Sequence, residues 1–383
     1  MLRRLNCLLS LTLLAASLLA VPAIAQSRDA GLQLAFRRAQ HLRHGINAAE
    51  WFAQAGDYSA ARTNRFTDAG DIALMARLGF DNVRISIDPE GLMQFPRGKD
   101  GMNDDFLGRL DKAVDTMIAN GLAVQIDIHP QEPFKIAVRD GNSGVDRFVM
   151  MWRLLAAHYA TRDPNMVFFE IMNEPEVRDP YRWAGIQARA AAAIREAAPQ
   201  NTLIATGPNY SDIADLLAMH PLDDGNVIYN FHFYDPHTFT HQGATWGTPW
   251  WVYEHGLPYP PTADSMAALI KEVPDPADRF QMENYWLEHW DGEHIRLLID
   301  EAAAWGKSNN VPLICNEFGA FREHMDPASR MRWIHDVRTS LEADGIGWAM
   351  WDYRGSFGVV FKQDGQPARV DPLVVQALGL NGR

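Results

Sequence analysis

Two glutamates each close a short apolar run that reads as a buried strand. Glu174 stands in Val167-Phe168-Phe169-Glu170-Ile171-Met172-Asn173-Glu174-Pro175, and Glu317 in Val311-Pro312-Leu313-Ile314-Cys315-Asn316-Glu317-Phe318-Gly319. A carboxylate at the exit of an apolar parallel strand sits where a barrel enzyme keeps its chemistry, and two such carboxylates are what cleavage of a glycosidic bond requires. Pro175 disfavours helix at Glu174 and is expected to hold the chain extended there. By the strand period of two, Leu313, Cys315 and Glu317 share a face, so a Cys315 pointing into the barrel core would open Glu317 into its mouth. Cys315 itself reads as a buried core thiol rather than a nucleophile. A lone Asn-Glu-Pro recurs by chance and a strand-end glutamate can simply meet solvent; the preceding apolar strand and the second glutamate are what favour chemistry.

The elements that must position these residues alternate short β-branched or apolar runs with longer stretches of helical period, the pattern of βα units on a parallel sheet. Eight strands are predicted: Leu42 to Asn47, Asn82 to Ile87, Ala123 to Ile128, Met166 to Met172, Thr202 to Thr206, Val227 to Phe233, Pro312 to Glu317 and Ile346 to Trp351. Helices are predicted at Asp68 to Leu78, Asp104 to Asn120, Val145 to Tyr159, Tyr181 to Ala197, Asp212 to His220, Glu293 to Ser308, Pro327 to Asp344 and Pro372 to Leu378. Gly79, Gly121 and Gly345 stand at helix exits, where a left-handed residue leads into a tight turn. Eight units imply an α/β fold, a closed (β/α)8 TIM barrel. A doubly wound open sheet competes, but would need no eighth strand and would usually carry a glycine-rich phosphate loop, which is absent. From Tyr234 to about Trp290 an insertion rich in Trp, Tyr, His and Pro follows the sixth strand and should lie over the active face.

Residues 1–25 read as a cleavable signal peptide: Arg3 and Arg4 start it, Leu8 to Val21 are mainly apolar, and Ala23-Ile24-Ala25 is a small-x-small cleavage site. Residues 26–383 are then expected to form one catalytic barrel, secreted or periplasmic, with no membrane span and a monomeric state. Cleavage would remove Cys7 and leave Cys315 alone, so no internal disulfide is expected. The net charge of -13 argues against nucleic-acid or anionic-membrane partners and is compatible with a neutral polysaccharide.

As a set, the Asn173-Glu174-Pro175 strand, the Glu317 strand, Val83-Arg84-Ile85-Ser86-Ile87, His232-Phe233-Tyr234 and Trp348-Ala349-Met350-Trp351 resemble glycoside hydrolase family 5, the cellulase family of clan A retaining glycosidases, from about Gly45 to Trp351. The resemblance implies Glu174 as acid/base, Glu317 as nucleophile, Asn173 on the sugar 2-hydroxyl and Arg84 bonded to the nucleophile. It implies also that His129 lines the site, that His232 and Tyr234 position the two glutamates, and that Trp351 floors the sugar subsite. One departure is Pro130 after His129, where the family often has Asn or another polar residue. On this reading Arg84 keeps Glu317 ionised, while Glu174 needs a less compensated setting to stay protonated.

The expected activity is retaining hydrolysis of β-glycosidic bonds, foremost an endo-β-1,4-glucanase, with no metal and no cofactor. Alternatives on the same scaffold are β-mannanase, xyloglucanase or exo-β-1,3-glucanase action, or a non-catalytic carbohydrate-binding barrel. His232, His237, His241 and His255 could be drawn as a metal cluster, but their spacing fits no common zinc pattern. Trp246, Trp250, Trp251, Tyr253 and Tyr259, with Trp51, could stack on sugars or pack a core; at least one of the insertion's aromatics is expected to face the cleft.

Overall fold

The computed structural model describes residues 28–380; the expected signal peptide and Cys7 lie outside them. Eight parallel strands close into a barrel in chain order: β1 (His44–Phe52), β2 (Asn82–Ile87), β3 (Ala123–Ile128), β4 (Val167–Glu170), β5 (Thr202–Ala205), β6 (Val227–Phe233), β7 (Leu313–Phe318) and β8 (Gly347–Met350). β2, β3 and β6 have the predicted bounds; β1 runs further because its end, past a register shift, still pairs Phe52 with Ile87 of β2. The predicted helices all form, three of them longer than predicted (Asn142–Tyr159, Pro180–Ala197 and Gly292–Asn309) and others trimmed by their caps: Asp68, for example, caps Ala69–Leu78 by accepting from Gly70 and Asp71 rather than opening it. Gly79 closes that helix at φ 102°, a conformation an L side chain rarely adopts.

Helices Ala60–Phe66 and Glu132–Asp140, and the helix over 28–39, were not expected from the sequence. The last reaches the base of the barrel, where Arg38 donates to Asn165 Oδ1 at 3.0 Å and Thr202 Oγ1 at 3.1 Å. Inside the barrel the lowest layer is apolar, built from Leu42, Ala123, Phe168, Ile204, Ile228 and Ile314. Their strand neighbours Val124, Phe169, Leu203, Tyr229 and Cys315 belong to the large outer core between sheet and helices. Above the apolar layer the interior turns polar, and this layer carries the site.

Cys315 is a buried thiol, as expected, but it does not share a face with Glu317. Phe231 pairs with Cys315 and His232 with Glu317, so Asn316 is skipped and the register slips between β6 and β7. Such a bulge breaks the alternation. Ile314 and Asn316 point into the barrel, and the bulge turns Glu317 to the same side as its neighbour Asn316.

The insertion is largely helical, with His237–Thr240, a 3-10 turn at Trp251–Tyr253, Ala263–Glu272 and Pro276–Leu287. Thr262 and Asp275 cap the two longer helices. Glu254, after the 3-10 turn, and Asp278, in Pro276–Leu287, are fully buried, and none of their four carboxylate oxygens has a hydrogen-bond partner. Burial, then the facing Asp278, pushes Glu254 up to about 9. Folding therefore tightens the hold on this proton: its stabilising contribution is complete below the ordinary carboxylate range and is lost as pH rises through about 9. Melting temperature is expected to fall as pH rises from neutral to above 9, and to fall less steeply in Glu254→Gln. Calorimetry over that range checks it, and parallel curves for the two proteins would show that the pair ionises without consequence.

Candidate active site

The polar layer centres on Arg84 of β2. Its guanidinium is fully buried and forks onto Glu170 of β4, Nε to Oε2 at 2.6 Å and Nη2 to Oε1 at 2.7 Å. Nη1 donates to Asn47 Oδ1 at 3.0 Å and to Glu317 Oε1 at 2.5 Å, and Nη2 donates to Asn173 Oδ1 at 2.9 Å. Asp127 Oδ2 lies 3.1 Å from Nη2. Burial alone would lower the pKa of Arg84, but Asp127, Glu170 and Glu317 outweigh it and raise it well above the ordinary value. Glu170 also accepts from Asn316 Nδ2 at 2.7 Å and Asn230 Nδ2 at 3.2 Å. One cation thus satisfies a set of buried carboxylates that could not stand in an apolar barrel without it.

Glu317 receives a second donor, Tyr234 Oη at 2.9 Å from Oε2. Asp127 accepts from His129 Nδ1 at 2.9 Å, which leaves His129 Nε2 to accept from Asn173 Nδ2 at 3.2 Å. Burial holds His129 down to about 3, so it serves as a neutral link between Asp127 and Asn173. Trp351 lines the cleft and stacks on His129, ring centres 5.8 Å apart at 20°. All eight residues singled out in the sequence, Arg84, His129, Asn173, Glu174, His232, Tyr234, Glu317 and Trp351, therefore meet in one site.

Glu174 departs from expectation in two respects. β4 ends at Glu170, and Glu174 sits beyond it with φ 36° rather than extended. Pro175 bars the right-handed helical region but not the left-handed one, where a non-glycine residue is strained and persists only when its surroundings fix it. They do: Ile171 N–H bonds Ile204 O at 3.0 Å, Asn173 N–H bonds Ile128 O at 2.8 Å, and Trp152 Nε1 donates to Ile171 O at 2.8 Å. The second departure is electrostatic. Burial pushes the Glu174 carboxyl up, but His232 Nδ1, 3.0 Å from Oε1, outweighs it with its hydrogen bond and charge and holds the carboxyl well below the usual range. His232 is raised in turn, against its burial, by Glu317 and Glu174. The two shifts run in opposite directions, so the contact favours the proton on His232 over Glu174, and Glu317 Oε2, 3.7 Å from the same nitrogen, adds to that preference.

One oxygen of Glu174, one of Glu317 and a ring nitrogen of His232 lie within 4.8 Å of one another. These facing oxygens fit two carboxylates about 5–5.5 Å apart better than a pair held about 6.5–9.5 Å apart by an intervening water. Among the described residues this is also the one trio able to offer a cation three ligand atoms, but both Glu317 oxygens already accept from Arg84 and Tyr234. Of the other histidines, His237 and His241 stack with Trp251 on the insertion's side of the cleft, and His255 stacks on His324.

The cleft above encloses about 1090 Å³. Trp246, Trp250 and Trp251 of the insertion line it, as expected of at least one such aromatic. Tyr259 is fully buried and donates to Asp336 Oδ2 at 2.9 Å, so it packs the core. Trp51 is likewise core: it lies within β1, packs on Phe52 and donates from Nε1 to Thr63 O at 2.8 Å. Sequence reading passed over Glu170, Asp127, Asn47, Asn230 and Asn316. Their signal was present, since an acid inside Val-Phe-Phe-Glu or Ile-Asp-Ile at an otherwise apolar strand needs a buried partner.

The pattern of cellulase, glycosyl hydrolase family 5, matches residues 46–356. The chain belongs to this family. The enzyme is thus a glycoside hydrolase. It is 28% identical over 333 residues to Endoglucanase C of Acetivibrio thermocellus, covering 85% of this chain and 95% of that one. It is 34% identical over 314 residues to Cellodextrinase A of Ruminococcus flavefaciens, covering 79% and 82%. Among solved structures it is similar to endoglucanase Cel5A from the hyperthermophilic Thermotoga maritima, with a TM-score of 0.70, 27% identity and coverage of 90% of this chain and 99% of that one.

Removing Arg84 should be felt in stability before activity is even considered. Arg84→Met leaves buried Asp127, Glu170 and Glu317 without their cation, a loss of about 3–5 kcal/mol for breaking a buried pair from one side. Urea unfolding should show the midpoint falling accordingly, whereas an unchanged midpoint would mean the carboxylates find other partners.

Proposed function

We propose that this enzyme is an endo-β-1,4-glucanase that hydrolyses its glycan with retention, through Glu317 as nucleophile and Glu174 as acid/base. The close Glu174–Glu317 pair carries this reading, and the endoglucanases among its relatives supply the substrate class. Arg84 and Tyr234 hold Glu317 by one oxygen each, so its charge is oriented toward an anomeric carbon seated over Trp351. Attack forms a glycosyl ester on Glu317 while the leaving oxygen takes a proton from Glu174. Glu174 receives that proton from His232 across their 3.0 Å contact, which leaves His232 neutral and Glu174 ionised once the leaving group departs. With Glu317 esterified and His232 left neutral, the Glu174 carboxylate acts as base toward the incoming water, whose oxygen displaces Glu317 at the anomeric carbon and frees its carboxylate. Asn173, tied on both sides by Arg84 and His129, has its side chain fixed to meet the 2-hydroxyl.

A cleft of about 1090 Å³ exceeds the roughly 300–1,000 Å³ of a drug-sized site, which favours an extended glycan over a single sugar. Residues 26–383 would act as one catalytic barrel, exported by the leader at 1–25 to meet polysaccharide outside the cytoplasm. Among the described residues no helix is long and apolar enough to cross a membrane. The kinship with Cellodextrinase A favours a second reading, in which short cello-oligosaccharides are the preferred substrate.

Glu317→Gln should abolish turnover, with no rescue by azide, yet still bind cello-oligosaccharide. Glu174→Ala should keep activity on an aryl cellobioside with a good leaving group and be accelerated by azide, because the first step then needs no acid. The opposite pattern of rescue would exchange the two roles, and a fully active Glu317→Gln would remove the reading altogether.

Trp246, half-exposed in the cleft and edge-on to Phe321, should act as a remote sugar platform. Trp246→Ala is expected to raise KM for long cello-oligosaccharides by roughly tenfold while sparing a small activated glycoside, since only the long substrate reaches it. Equal losses on both substrates would make Trp246 structural instead.

A further inference from the structure

Tyr234, whose hydroxyl holds Glu317, is itself held by the insertion. The ring of His241 meets the Tyr234 ring at 5.3 Å and 67°, and its other faces are filled by Trp251 at 4.6 Å and 26°, His237 at 5.1 Å and 20°, and Phe357 at 5.6 Å. A second path runs through Thr240. Its hydroxyl donates to the backbone carbonyl of Tyr234 at 2.5 Å, so the 3.0 Å contact with His241 Nδ1 is a bond that Nδ1–H donates to Thr240 Oγ1. His241 therefore meets the Tyr234 ring directly and supports its carbonyl through the Thr240 hydroxyl. The same imidazole stacks on Trp251 in the wall of the cleft, and a backbone bond from Gly243 N–H to Trp251 O at 2.7 Å ties the two segments together.

We propose that His241 is a positioning residue for the nucleophile, carrying the placement of the insertion's Trp251 through Tyr234 to Glu317. This rests on the reading of Glu317 as nucleophile. Trp251, His237 and His241 all line the cleft, so a sugar seated against this stack presses on the residues that aim the nucleophile. Burial, reinforced by His237, keeps His241 neutral well below the ordinary imidazole range, so its single ring proton remains available to Thr240. The groups facing Glu317 are Arg84, Tyr234, His232 and Glu174; His241 touches none of its oxygens and acts only through Tyr234.

The test uses the whole enzyme and an aryl cellobioside with a good leaving group, so that the first step reports attack by Glu317. His241→Ala should lower kcat/KM roughly tenfold, the scale of one weakened hydrogen bond to a charged group. It should also move the acid limb of the pH profile upward by about one unit, because a carboxylate that loses a donor protonates more easily. His241→Phe, which keeps the ring and loses only the bond to Thr240, should fall between Ala and the parent and guards against a folding failure of the smaller side chain. Tyr234→Phe should reproduce the shift, and the double variant His241→Ala with Tyr234→Phe should lose no more than Tyr234→Phe alone. An acid limb that stays in place, or losses that multiply in the double variant, would overturn the proposal. Glu317→Gln measured alongside keeps the two readings apart: if it remains active, the nucleophile assignment fails and this proposal with it, whereas an inactive Glu317→Gln with an unmoved acid limb in His241→Ala sinks this proposal alone.

Discussion

One guanidinium determines what the inside of this barrel can be. A closed eight-stranded barrel fills its interior with side chains, and the usual filling is apolar and branched. Here the lower layer obeys that rule, while the layer above it holds Asp127, Glu170 and the inner oxygen of Glu317, all reached by Arg84. Without the cation, those carboxylates would either be protonated or leave the barrel. With it, Glu170 is fixed beneath the site and accepts from Asn230 and Asn316, while Asn47 and Asn173 accept from the remaining N–H groups of Arg84.

Rigidity at the top of the barrel follows from that foundation and from two breaks in regular structure. The bulge in β7 re-aims Glu317 so that it clears Asn316 and meets both Arg84 and Tyr234. The left-handed backbone at Glu174, tied to β3 and β5 by main-chain bonds just before it, lifts the second carboxylate toward the first. Neither device stabilises the fold. Both place a charge, and each is sustained by the ladder around it.

The two glutamates share a chemistry but not an environment. Glu317 is held by a permanent cation and a phenol, whereas Glu174 faces a histidine whose proton can move. On the proposed reading this asymmetry gives attack to the first and proton transfer to the second without any difference in residue type. The insertion extends the same logic outward: its tryptophans form a wall of the cleft, and its histidine stack reaches inward as far as Tyr234.

The sequence by itself determined the strand count, the helix exits at Gly79, Gly121 and Gly345, and the eight residues that converge on the site. Each of these is local: a period of two or of 3.6, a glycine where φ is positive, or a short motif at a strand end. Tertiary structure alone decided the bulge that separates Cys315 from the face of Glu317, because a register slip depends on the neighbouring strand and leaves no mark in its own residues. It alone decided that Glu170 and Asp127 pair with Arg84 across three strands, and that Trp51 and Tyr259 are core while Trp246 lines the cleft. It decided as well that the Glu174 carboxyl is held below its usual range, since that depends on a histidine far away in the chain and 3.0 Å away in space. Periodicity reports how a residue faces its own element; charge, burial and register are set by what the other elements bring against it.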